Sequence, residues 1–223
     1  MDFRPFYISI QVAFIATVVT FFLGLAAANA VYKMKRGKGV IDAICTLPMI
    51  LPPTVAGFFL LLTFGRGGII GGFLNSIGIQ VVFSWLGAVI AAVFVSFPLM
   101  YRTARGAFEQ IDQNVIYAAE TLGFSKLKIF WTLKVPMAKA GILAGTVLAF
   151  ARALGEFGAT IMLAGNIPGR TQTMAIAVFS AVSANNRQVA FTWVAILSAM
   201  SFAMIILMNF WAGGKRLPKS RKL

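Results

Sequence analysis

The stretch YISIQVAFIATVVTFFLGLAAANAVY, residues 7–32, runs 26 positions without a charge and is followed at once by Lys33, Lys35, Arg36 and Lys38. A helix that crosses a bilayer needs about 20 apolar residues. Further runs of this kind lie at about 40–64, 82–101, 141–163 and 189–212. Composition agrees: 59% of the 223 residues are apolar and 12% are charged, against roughly 45–50% and about 25% in soluble domains. Mean hydropathy is +0.85. The expected fold is an all-α integral membrane protein with five transmembrane helices, a single domain over residues 1–223 without a separate soluble unit. A shorter run, Met174–Ala184, is too brief to cross and suits an interfacial or re-entrant helix.

Cations set the expected orientation. Fifteen of the twenty Lys and Arg residues follow span 1, lie between spans 3 and 4, or form the tail after span 5. On the opposite side stand only Arg4, Arg66, Arg170 and Arg187. Positively charged loops stay in the cytoplasm, which puts the N-terminus outside and the C-terminus inside. The net charge of +14 thus reads as membrane topology, not as a nucleic-acid surface. Ala28-Asn29-Ala30 has the form of a signal-peptidase site. Span 1 is nonetheless expected to be retained, because its apolar run is too long and Asp2 and Arg4 leave no positive leader.

The residue inventory excludes much chemistry. There is no histidine, Cys45 is the single cysteine, and Asp and Glu number six. Disulfide frameworks and thiol or imidazole metal sites are excluded, and an intramembrane enzyme would have few acid–base carriers. Of the acids only Glu156 falls well inside a span, with Asp42 at the edge of span 2 and Asp112 in the central loop. No phosphate-binding G-x-x-x-x-G-K-[ST] motif occurs.

Small residues recur along span 1 (Ala16, Thr20, Gly24, Ala28) and span 4 (Gly141, Gly145, Ala149, Ala153), which lets helices approach closely. Packing within the chain is the favoured reading, with a dimer seam as the other. Span 2 carries Pro48, Pro52 and Pro53. They make either a kinked, pathway-lining helix or a helix start just inside the interface. The outer loop Gly65–Ser84 holds Ile69, Ile70, Phe73, Leu74 and Ile77, spaced for a short amphipathic helix lying flat on the surface.

The central loop, residues 102–139, is expected in the cytoplasm. Asp112 can cap a helix running to about Leu122, with Gly123 as its left-handed end. Val115, Ala118, Ala119 and Leu122 share one face of it. Ser125 caps a second helix expected to stop before Pro136. Such a knob either fits a groove on another protein or packs on its own membrane domain.

Tyr117-Ala118-Ala119, Gly123, Leu133 and Val135-Pro136 resemble the coupling loop of ABC importer permeases, in which a Glu-Ala-Ala triplet precedes a glycine and then Ile-x-Leu-Pro. Tyr117 stands where the family has Glu, and Glu120 is no assured substitute. The stretches Leu47–Gly57, Ser96–Met100, Gly145–Thr160 and Asn166–Gly169 are similar to the molybdate and tungstate permeases, with sulfate and thiosulfate permeases sharing much of the pattern. The resemblance implies a type I importer permease working as a homodimer in a prokaryotic cytoplasmic membrane. It also implies a dimer of ATPase subunits that bind ATP and Mg, and an external oxyanion-binding protein. The chain itself would hold no cofactor or metal and would not be an enzyme. Tyr117, Ala118, Ala119, Glu120, Gly123 and Pro136 become the coupling residues. An ATP-independent channel is the remote alternative.

Arg152 and Glu156 stand four apart on one helix face. Each alone would cost about 2.5–3.5 kcal/mol at the bilayer centre. They read either as a structural clip, which is favoured, or as part of a gate. With Pro52, Pro53, Thr54, Gly57, Ser96 and Pro98 they form the candidate pathway. Because conduction favours weak sites, tight oxyanion binding is expected in the external protein and not here.

Overall fold

A computed structural model describes residues 2–34 and 36–212. Lys35 and the cationic tail from Lys215 to Lys222 lie outside the described residues. The chain begins with α1 (Arg4–Lys33), α2 (Lys38–Ile50), α3 (Pro53–Phe64) and the short helix α4 (Ile69–Ser76). Helix α5 (Trp85–Glu109) leads to α6 (Gln113–Thr121) and α7 (Lys126–Ile129). A π turn (Phe130–Lys134) and α8 (Val135–Met137) then enter α9 (Lys139–Leu154). Last come α10 (Gly158–Ala164), α11 (Met174–Ser183) and α12 (Arg187–Ala212).

Three helices are long and apolar enough to cross a membrane: α1, α5 and the Arg187–Met208 part of α12. The number reaches five if two bent pairs each count as one span. One pair is α2 with α3, bent by 112°, and the other is Lys126–Met137 with α9, bent by 78°.

Several boundaries differ from the sequence expectation. The run 40–64 is not one helix, because Leu51 and Pro52 turn extended and α3 restarts with Pro53 in its first turn. The run 141–163 breaks after Leu154 and resumes at Gly158. The run 82–101 is too short. Helix α5 continues to Glu109 because Ala104 and Phe108 stay buried while charges occupy its other face. The helix after Ser125 does not stop before Pro136. The π turn widens the chain ahead of the proline, so the carbonyl its ring would strike is displaced and the helix runs on to Met137.

The core forms around α5, with α1 on one side and α9 on the other. A Cβ on Gly24 would lie 2.6 Å from Met100 Cγ, and one on Gly145 would lie 3.1 Å from Met100 Sδ. Met100, fully buried, therefore separates the two small-residue stripes. Both stripes serve packing within the chain. Thr20 and Ser96 join their hydroxyls across α1 and α5 at 3.1 Å, and Ser96 also donates to the Ala92 carbonyl at 2.7 Å. Pro98 is buried inside the unbroken α5.

Candidate gate and coupling hairpin

Helix α10 lies against α3 and α5. The approach to α3 is as close as backbones permit. A Cβ on Gly57 would lie 2.9 Å from the Ala159 Cα, and a Cβ on Gly158 would lie 2.7 Å from the Pro53 Cβ. The heads of α3 and α10 thus meet at the two helix breaks. Pro52, Pro53 and Thr54 are exposed beside this meeting point, while Gly57 is buried in it.

Glu156 makes the second break. Gly155, a poor helix former, ends α9. The Glu156 carboxylate then turns forward, and its Oε1 accepts the Ala159 amide at 2.7 Å in the first turn of α10. A carboxylate there also suits the positive end of the helix. Its Oε2 meets Arg152 Nη1 at 2.5 Å. The acid is 2% exposed and the arginine 34%, so the pair is half in and half out of the protein. Arg152, Glu156, Pro53, Thr54 and Gly57 are brought to one seam. Ser96 and Pro98 are not; they sit in the α1–α5 core.

The hairpin takes the expected local form. Asp112 caps α6 by accepting the Asn114 amide at 2.9 Å. Gly123 has φ +79°, and two bonds close the turn: the Gly123 amide to the Glu120 carbonyl, 3.0 Å, and the Phe124 amide to the Ala119 carbonyl, 3.1 Å. That is the left-handed helix ending glycine favours. Nothing lies within 4 Å of a Cβ at Gly123, so the backbone angle and not space within this chain demands glycine. Ser125 caps α7 by accepting the Lys128 amide at 3.3 Å.

The face expected to be uniform is split. Ala119 of that face, with neighbouring Ile116, is buried in one cluster with Ile129, Phe108 and Ile111. Val115, Tyr117, Ala118, Glu120 and Leu122 are exposed, as is Pro136. The hairpin both roots in its own chain and presents an apolar outer side, with Leu127 and Trp131 also exposed.

Two polar networks tie this end of the molecule together, and sequence reasoning missed both. Tyr101 donates to Asp42 at 2.9 Å, Arg105 pairs with Asp42 and also with Glu109, and Lys38 reaches Glu109 at 2.8 Å. Lys134 is buried, with Nζ 3.5 Å from Asn29 Oδ1 and 4.3 Å from the Tyr32 ring centre. Burial, then the charge of Lys33, pushes its ammonium below the ordinary lysine value. The partners are 105 positions apart for Lys134 and 63 for Arg105–Asp42, so no local pattern signals them. Among the described residues no cluster of three or more His, Cys, Asp or Glu could hold a metal.

Residues 20–213 match the family described as binding-protein-dependent transport system inner membrane component. The chain is 43% identical over 209 residues to the putative molybdenum transport system permease protein YvgM of Bacillus subtilis, covering 93% of this chain and 92% of the relative. It is 38% identical over 212 residues to the molybdenum transport system permease protein ModB of Escherichia coli K12, covering 94% and 93%. The sulfate transport system permease protein CysW of Synechococcus elongatus is 36% identical over 82% of this chain and 65% of its own length. Among solved structures, a chain of the inward-facing MetNI methionine ABC transporter superposes with a TM-score of 0.74 at 15% identity, covering 96% of this chain and 95% of that one. That likeness speaks for the fold alone.

Proposed function

Because this chain belongs to the family of binding-protein-dependent transport system inner membrane components, we propose that it is the membrane subunit of an ATP-driven importer for molybdate or tungstate. Two copies form the pathway, ATPase subunits drive it from the cytoplasm, and an external binding protein delivers the oxyanion. The spans are α1, α2 with α3, α5, α9 with α10, and α12, with the N-terminus outside. The substrate class rests on the YvgM and ModB relatives, similar over nearly the whole chain.

The observation that carries the drive mechanism is the α6–α7 hairpin. Its inner side is packed under α1 and α5, while Val115, Ala118 and Leu122 face outward on a rigid, capped turn. A groove on a nucleotide-binding subunit can seat such a surface, and its movement reaches the spans through Ile116, Ala119 and Ile129. Tyr117 supplies bulk where a charge is usual, so apolar contact replaces a salt bridge.

The test is ATP-dependent molybdate uptake into liposomes holding the permease, its ATPase and the binding protein. Gly123→Arg is expected to abolish uptake while the protein still inserts; undiminished uptake would remove the docking role. Excess sulfate separates the second reading, favoured by the CysW likeness. Strong competition by sulfate at the binding-protein step would reassign the substrate.

A further inference from the structure

Arg152 and Glu156 differ in what surrounds them. Both Glu156 oxygens are engaged, one by Arg152 at 2.5 Å and one by the Ala159 amide at 2.7 Å. Among the described residues Glu156 is the one ion partner of Arg152. A guanidinium carries five N–H donors in a planar fork, so this single carboxylate leaves donors free on a side chain that is 34% exposed. Thr54 and Pro53, exposed at the head of α3, border the same break through Gly158.

We infer that Glu156 is a resident counter-anion, and that an oxyanion in transit competes with it for the Arg152 guanidinium. The inference rests on the importer reading above and names how its pathway is tuned. An unpaired cation at membrane depth is costly, and Glu156 satisfies it while the pathway is empty. A tetrahedral dianion can take the free donors of the fork, as phosphate does at arginine. It meets there a fixed negative charge that both repels it and retains part of the guanidinium. Glu156 cannot swing aside, because the Ala159 amide holds its other oxygen. The oxyanion is therefore recognised and held loosely, which passage requires, since a site that binds tightly releases slowly.

The experiment uses the assembled transporter, permease with its ATPase, in lipid nanodiscs without binding protein, and labelled molybdate as the probe. Glu156→Gln removes the charge and keeps an amide oxygen able to accept from Ala159. Molybdate retention is expected to tighten roughly tenfold or more, while uptake turnover, read in liposomes with the binding protein present, falls. Folded Glu156→Gln with unchanged retention overturns the inference. Where that variant does not accumulate, Glu156→Asp draws the charge back from Arg152 and is expected to tighten retention by a smaller factor; no change overturns it equally. Wild-type transporter that imports no molybdate in liposomes would sink the importer reading itself. Wild-type import without tighter retention in the variants sinks the counter-anion alone.

Discussion

Two seams in this molecule use the same device and reach opposite ends. Along α1 and α5, Gly24 lets a 30-residue and a 25-residue helix close on each other without interruption. Along α3 and α10, Gly57 and Gly158 bring together helices of 12 and 7 residues, each starting at a break. The first seam carries a buried hydroxyl pair, Thr20 and Ser96, midway along both helices. The second ends in exposed prolines and a half-exposed ion pair. Close packing of continuous helices gives a rigid post, while close packing of two helix heads gives a joint. Prolines make the same point. Pro98 leaves α5 unbroken, because the helix is gripped on both sides, whereas Pro52 and Pro53 accompany a bend of 112°.

The contrast can be broken by overfilling each seam. Gly24→Leu drives a side chain into Met100, where a Cβ alone would lie 2.6 Å from Cγ. Overpacking costs about 1–3 kcal/mol or more, and folded protein is expected to be lost on fluorescence-detected size exclusion. Gly57→Leu meets backbone, with the Ala159 Cα 2.9 Å from a Cβ. Two short helix heads can part where two long helices cannot, so more folded protein is expected to survive while uptake stops. Equal losses of folded protein would erase the distinction between post and joint.

A smaller effect is expected at the ion pair, because its arginine is 34% exposed and solvent screens the pair. Arg152→Ala strands the Glu156 carboxylate without its counter-charge. Replacing Arg152 by Ala and Glu156 by Gln together is expected to be milder, read as yield of folded protein. If single and double variants accumulate equally, the pair is not holding the joint.

The smallest effect lies where α2 meets α5 through charges instead of glycine. Glu109 accepts from Lys38 at 2.8 Å and from Arg105 at 3.1 Å, with its side chain 40% exposed. Exposed ion pairs contribute about 0–1 kcal/mol each and are screened by salt. Glu109→Gln is therefore expected to lower the thermal midpoint slightly at low salt and less at high salt. An unchanged midpoint at low salt would leave Glu109 without that role.

Much of this was legible in the sequence. The uncharged run at 7–32, the Asp112 and Ser125 caps and the left-handed Gly123 all follow from local chemistry. The three prolines in the second run signalled a break. The second break carried no such signal, because its cause is a glutamate folding forward onto the next helix, a tertiary choice. The single apolar face expected on α6 was divided, since periodicity shows which residues share a side but not how far around the helix the neighbour reaches. The Asp42–Arg105 and Lys134–Asn29 contacts join distant positions and required the fold.

The Phe83 amide donates to the Leu163 carbonyl at 3.0 Å, tying the segment that leads into α5 to the end of α10, while Phe108 at the other end of α5 packs edge-on against Phe130 at the hairpin root. Between them α5 is an uninterrupted rod of 25 residues, roughly 37 Å long. A tilt imposed at the hairpin end of such a rod arrives undiminished at its Phe83 end, with no slack in between. Hairpin root and α10 are thereby two ends of one lever.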